Sequence, residues 1–203
     1  MMVYKIMKPD FKKQKRGRVV EELRDLKERL STQRPASWEA LPDISLYMDQ
    51  IISYLPRQLI RFEEGEILTS AMVNNYIKDG LLPRADGKRY GPTHLAYLTA
   101  ICALKQVLSV KEMKALLQSG MLGREPETVY GYFCQELDSA LEETAQELNT
   151  ELSPDELPKL ALSLALRSYA DKLACERILS LLRGGEDAPE EKKHKDKNKE
   201  KGE

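Results

Sequence analysis

The chain has 203 residues, 32% of them charged, 41% hydrophobic and 6% aromatic, with a formal net charge of -1. That is enough chain for one ordinary core, or for a small module with an appended helical part, and the balance argues neither for nor against a polyanionic partner. Three separated cysteines (Cys102, Cys134, Cys175) and two histidines (His94, His194) leave no zinc-ligand spacing, no signal-peptide core and no membrane-length apolar run, so a cytoplasmic protein with reduced thiols, no metal and no membrane partner is expected.

Charge is unevenly spread. Residues 1–35 carry 11 Lys+Arg against 5 Asp+Glu, and residues 36–65 carry 2 against 5. Residues 66–118 carry 7 against 4, residues 119–187 carry 6 against 14, and residues 188–203 carry 6 against 5. A basic front and an acidic back suit a protein with one polyanion-facing end.

Residues 1–17 are basic and aperiodic and read as a loose arm. Val19, Val20, Leu23, Leu26 and Leu30 then mark one face of a short amphipathic helix, a docking stripe rather than a membrane binder because its polar side is of mixed charge. Ser31 to Ser37 reads as a linker, so 1–37 forms an arm plus helix. Trp38 opens the next segment. From Asp43, a candidate N-cap, the positions Ile44, Tyr47, Met48, Ile51, Ile52 and Leu55 predict a helix that Pro56 ends. The connection 61–66 (RFEEGE) is long.

Thr69 is the predicted N-cap of a helix over 70–79 with Met72, Val73, Tyr76 and Ile77 inward. Its outer face is Ser70, Ala71, Asn74, Asn75 and Lys78, small and amide-bearing where a solvated helix usually carries Glu, Lys and Arg. Asn can pair bidentately with adenine in the major groove, and small neighbours let a helix approach the bases. Gly80 stands where a helix end needs φ > 0. Leu82 to Tyr90 (LPRADGKRY) centres on Asp86-Gly87, a hairpin dipeptide, with Arg84, Lys88 and Arg89 around it for phosphate contacts. A helix is predicted from Pro92 to about Leu108, with Leu95, Leu98, Ile101, Cys102 and Leu104 on its apolar face. A second follows from the Ser109/Glu112 capping box, with Val110, Met113, Leu116 and Leu117.

Thr69 to Leu117 resembles the N-terminal DNA-binding domain of MerR-type regulators. The shared residues are Tyr76, Gly80, Leu81, Leu82 and Pro83, then Arg89-Tyr90, the leucine-rich helix and the Ser-x-x-Glu start. The wider run from Trp38 to Leu117 resembles a bacterial family of unknown function with a MerR-like helix-turn-helix. The resemblance implies double-stranded DNA as partner, contacted by Thr69, Ser70, Asn74, Asn75, Lys78, Arg84, Lys88, Arg89 and Tyr90. This chain departs from the pattern with Asn74 in place of Arg, Ile77 in place of an acidic residue and a shortened wing. No subunit-pairing helix directly follows, either.

After a loop at MLGREPE, a helix is predicted from about Glu127 to Glu147 with Val129, Tyr132, Phe133, Leu137, Leu141, Ala145 and Leu148 in register. Ser153 and Glu156 form a second capping-box pattern before a long leucine-rich helix that stops at Gly184-Gly185. That helix is apolar around more than half its circumference, so it is either central to the C-terminal half or pairs with a second subunit. The tail EDAPEEKKHKDKNKEKGE is expected to be disordered.

The expected architecture is all-α, mainly helical, with a small two-stranded wing: a winged helix-turn-helix over 38–120 and a C-terminal helical hairpin over 121–185 that serves a homodimer, with the charged tail over 186–203. The expected function is transcription regulation by DNA binding, with no enzyme activity, no cofactor and an unknown effector. His94 reads as a cap or surface residue, because no catalytic partner accompanies it. The alternative is a non-enzymatic interaction module on the same scaffold that docks a protein and not DNA.

Overall fold

The structure, a computed structural model, describes residues 11–62, 68–121 and 124–183. Residues 1–10, residues 63–67 of the long connection, residues 122–123, the Gly184-Gly185 stop and the tail 186–203 lie outside the described residues. Among the described residues the chain is mainly helical, with seven α-helices and two isolated β-bridges in place of any strand. The helices are α1 (Phe11–Thr32), α2 (Met48–Tyr54), α3 (Ser70–Lys78), α4 (Pro92–Leu104), α5 (Val110–Met121), α6 (Pro126–Glu147) and α7 (Leu157–Leu182).

The core forms around α4. Leu95, Ala96, Leu98, Thr99, Ile101 and Cys102 are all buried, an arc of about 220° at 100° per residue, and Tyr97, Ala100 and Leu104 on the remaining side are half-buried. A helix apolar on every side has no face to offer water, so its neighbours must enclose it. Ile51 and Leu55 come from α2 and its 3-10 extension (Leu55–Arg57), Val73 and Tyr76 from α3, and Met113 from α5. The core also reaches past residue 120, to Tyr130 of α6 and Leu179 of α7. Buried Thr99 satisfies its hydroxyl by donating to the Leu95 carbonyl one turn back, 2.8 Å away. Leucine-rich α7 holds no such position: Leu179 is its one buried residue.

Local chemistry sets the helix ends. Tyr47, not Asp43, caps α2, and the Gln50 side chain accepts from the Tyr47 N–H at 2.8 Å. The helix begins later than its periodicity predicts because Leu46, just before it, is used in an extended pair with Tyr90. It ends at Tyr54, and Pro56 sits inside the following 3-10 turn. α4 stops at Leu104, short of the predicted Leu108, in a turn. The capping box that opens α5 is reciprocal. Ser109 N–H donates to the Glu112 carboxylate (2.7 Å), and the Glu112 N–H donates to Ser109 Oγ (3.3 Å). Ser153 binds Glu156 Oε2 through both its N–H (2.8 Å) and its hydroxyl (2.7 Å) before α7.

Two expectations about the flanks are corrected. The N-terminal helix already begins at Phe11, inside the supposed loose arm. Its stripe lies on α6, where Leu23 is buried, and just past the end of α6 Lys27 donates to the Leu148 carbonyl (3.2 Å) and Arg24 reaches Glu151 (2.6 Å). Arg34 pairs with Asp138 of the same helix. The C-terminal hairpin is also absent as a packed pair, for α6 packs on α1 and α4 while α7 packs on α5. Between α6 and α7 the described tie is the ion pair of Glu147 with Arg167, near the corner. Among the described residues no helix is long and apolar enough to cross a membrane.

Two outcomes follow. Leu98→Ala should lower the unfolding free energy by about 2–5 kcal/mol in urea titrations, because a fully enclosed leucine leaves a cavity. Ser109→Ala should cost ~1 kcal/mol at neutral pH. The Ser109 hydroxyl and N–H hold the Glu112 carboxyl below its ordinary value. That stabilisation is therefore present above the unfolded-state pKa and lost as pH falls through the folded one, so wild type and variant should converge under acid.

Candidate nucleic-acid interface

α3 is a nine-residue helix whose start and finish are both fixed by side-chain or backbone chemistry. Thr69 Oγ1 accepts from the Met72 N–H at 3.1 Å. At the other end Gly80 adopts φ +72°, and the Leu81 and Leu82 N–H groups both turn back to the Tyr76 carbonyl (2.9 and 3.1 Å). Val73 and Tyr76 are buried, with Met72 and Ile77 half-buried beside them. Ser70, Ala71, Asn74, Asn75 and Lys78 are all exposed. The Asn74, Asn75 and Lys78 side chains have no hydrogen-bond or ion-pair partner among the described residues, so their donors and acceptors are available to a ligand.

The hairpin tip follows directly. Asp86 and Arg89 exchange both backbone bonds (3.2 and 2.8 Å), enclosing Gly87 at φ +52° and Lys88 at φ +68°. Two consecutive positive φ values are what a type I′ turn requires. The central pair is Gly87-Lys88, one residue beyond the Asp86-Gly87 pair expected from sequence. Among the described residues Lys88 is the sole non-glycine with positive φ.

The tip does not extend into two strands. The Tyr90 N–H and carbonyl are both bonded to Leu46 (2.8 and 2.9 Å) instead of the chain at 82–85, where Pro83 has no N–H to offer. His94 completes the anchor. Its Nδ1 accepts from the Gly91 N–H (3.2 Å), so the proton of the neutral ring sits on Nε2, which lies 3.3 Å from the Arg84 carbonyl. One histidine thus caps α4 and holds the base of the hairpin.

The residues marked from sequence fall into three groups. Ser70, Asn74, Asn75, Lys78, Arg84 and Lys88 are exposed on α3 and the tip. Thr69 and Arg89 are engaged. Thr69 serves as cap, and the Arg89 guanidinium donates to the Tyr47 hydroxyl (3.1 Å) while lying 5.3 Å from the centre of its ring. Tyr90 is a correction. It is 4% exposed, edge-on to His94 at 5.4 Å, and belongs to the core because its backbone is paired with Leu46. Sequence reasoning missed Tyr47, which it had placed within a helix face, and the second bond of His94.

Chemistry of other kinds has less to work with. Burial pushes the Cys102 thiol up to about 11, and it raises Cys134 and Cys175 as well, away from the thiolate that a nucleophile or soft-metal ligand needs. Among the described residues no cluster of His, Cys, Asp or Glu could hold a metal ion.

Residues 36–133, just under half the chain, match a family described as a domain of unknown function (DUF1836). The two ends of that match meet in space. The Tyr130 hydroxyl donates to the Ala36 carbonyl (2.9 Å), and its ring lies between Trp38 (6.4 Å) and Phe133 (5.9 Å). No curated protein and no solved structure matches the chain.

Lys88→Gly should raise stability by about 0.5–1 kcal/mol in thermal or urea unfolding, since glycine occupies a left-handed turn position without steric cost. No change or a loss would mean that the lysine side chain stabilises the turn by contacts of its own.

Proposed function

We propose that this protein is a DNA-binding regulator of the winged helix-turn-helix kind, built on a MerR-like scaffold and active in the cytoplasm without enzymatic chemistry. α3 enters the major groove, and the hairpin tip acts as a minimal wing on the phosphates. The observation that carries this reading is the outer face of α3. Four exposed residues, small or amide-bearing, and one lysine sit on a helix anchored from behind by Val73 and Tyr76. An α-helix, about 10–12 Å across with its side chains, fits a major groove about 12 Å wide.

Asn74 and Asn75 supply paired donor and acceptor groups for base edges, and Ser70 and Ala71 keep the approach close. Lys78, Arg84 and Lys88 supply the phosphate contacts that fix register. A lysine held in a strained conformation at an exposed tip is itself a reason to look for a ligand there. Arg89 plays a supporting part, because Tyr47 already orients it.

Selection from a random double-stranded DNA pool at low and moderate salt tests the proposal. Wild type should enrich a motif. Asn74→Ala/Asn75→Ala should lose that motif while still binding DNA loosely. Lys88→Ala should bind all sequences more weakly and shallow the salt slope by about one unit of log K per log salt. Absence of enrichment by folded wild type at both salts sinks the reading.

A further inference from the structure

Residues 36–65 carry two cations against five acids, and both cations, Arg57 and Arg61, line one cleft together with Arg34. The cleft has a volume of about 450 Å³ and is walled by residues from 32–34 at the end of α1 and from 56–61 around the 3-10 turn. No acidic residue lines it. Solvated surface charge is spread with both signs mixed, whereas a concave wall of one sign concentrates an ion of the other.

Gln58 gives the cleft a fixed donor. It is 8% exposed, and its Oε1 accepts from the Ala36 N–H at 2.9 Å, which sets the orientation of the amide. Its Nε2 has no hydrogen-bond partner among the described residues and is not sealed off, so its N–H groups open on the cleft. A nine-tenths buried amide with both N–H groups unbonded calls for an acceptor. Arg34 is oriented in the same way. Its Nη1 donates to the Leu30 and Gln33 carbonyls (2.7 and 2.9 Å) and its Nε to Asp138, which leaves Nη2. Arg57 is exposed, and its guanidinium has no hydrogen bond or ion pair among the described residues.

These donors come from two walls. A carboxylate is flat, and one guanidinium fork satisfies its two oxygens. A phosphomonoester dianion turns three oxygens in different directions and carries charge for more than one guanidinium. We propose that this cleft binds a small phosphomonoester, held by Arg57, Gln58 Nε2 and Arg34 Nη2, with Arg61 adding positive charge. Its volume falls within the range of small-molecule sites, about 300–1,000 Å³. The site does not depend on DNA binding.

Titration calorimetry of the full chain with glycerol phosphate tests it, in chloride buffer at about pH 7.5, where a phosphomonoester is mostly dianionic. Wild type should bind glycerol phosphate at least about tenfold more tightly than succinate, a dianion of two carboxylates. Arg57→Gln should weaken binding about tenfold or more. Arg177→Gln, the same charge change at an exposed position of α7, should bind as wild type does. Gln58→Glu keeps an oxygen for the Ala36 N–H but replaces the open donor with an anion, and should abolish binding. Circular dichroism shows that each variant is folded; should Gln58→Glu not fold, exposed Arg57 carries the test. No saturable binding by wild type at about 1 mM glycerol phosphate would overturn the proposal. Equal affinity for succinate would overturn it too, as would a loss in Arg177→Gln as large as that in Arg57→Gln. A random-sequence DNA duplex should leave the glycerol phosphate isotherm unchanged. Displacement by the duplex would give the cleft to the DNA backbone and overturn the small-molecule assignment.

Discussion

The enclosure of α4 is the constraint on which the other elements depend. A helix with leucines or comparable residues on every side gains its stability only if several neighbours cover it at once. The supports come from distant parts of the chain: Ile51 and Leu55 before it, Val73 and Tyr76 of α3, Met113, Tyr130 and Leu179 after it. α3 is therefore not a free-standing helix. Its inner side is fixed by the same cluster, which is why its outer side is presented as a defined surface. The hairpin is tied to the same cluster through Tyr90, whose ring is buried and whose backbone is paired with Leu46. Helix face and hairpin tip are two outward consequences of one buried helix.

Side chains with strong local rules were legible in the sequence. Thr69, Gly80, Ser109 with Glu112, and Ser153 with Glu156 act at short range, through hydrogen bonds within three residues or through φ at a single position. The inward and outward faces of α3 were legible too, because a short helix between two such signals has one consistent register. What could not be read were the outcomes of long-range choices. Leu46 had a helical neighbour pattern, but pairing with Tyr90 holds it extended and delays α2. Tyr90 carries an aromatic ring and a hydroxyl that suit a surface or a core equally, and the Leu46 pair decides for the core.

The choice of central helix shows the same limit. α4 and α7 are both rich in leucine, and composition alone favours α7 as the buried one. What separates them is which helix has neighbours, and neighbours are set by chain topology. The sequence of α4 contributes small residues, Ala96, Ala100 and Ala103, that allow close approach on several sides. Charges interrupt α7 instead, at Arg167, Asp171, Lys172, Glu176 and Arg177. The N-terminal helix offers a further case: its stripe was recognisable as a docking face, but α6 as its dock depends on pairs such as Arg34 with Asp138, which no local pattern announces.

Leu179 carries a consequence for how this chain can be divided. It lies far beyond residue 133, where the recognised segment ends, yet it is 1% exposed and fills the same cluster as Leu98 and Met113. α1 in turn covers a length of α6 that the segment enters but does not finish. The stretch that is shared as sequence is thus smaller than the stretch that folds as a cooperative whole. A piece cut at the limits of similarity would expose the flank of α6 and open a leucine-sized void over α5, so inheritance and autonomy have different boundaries in this molecule.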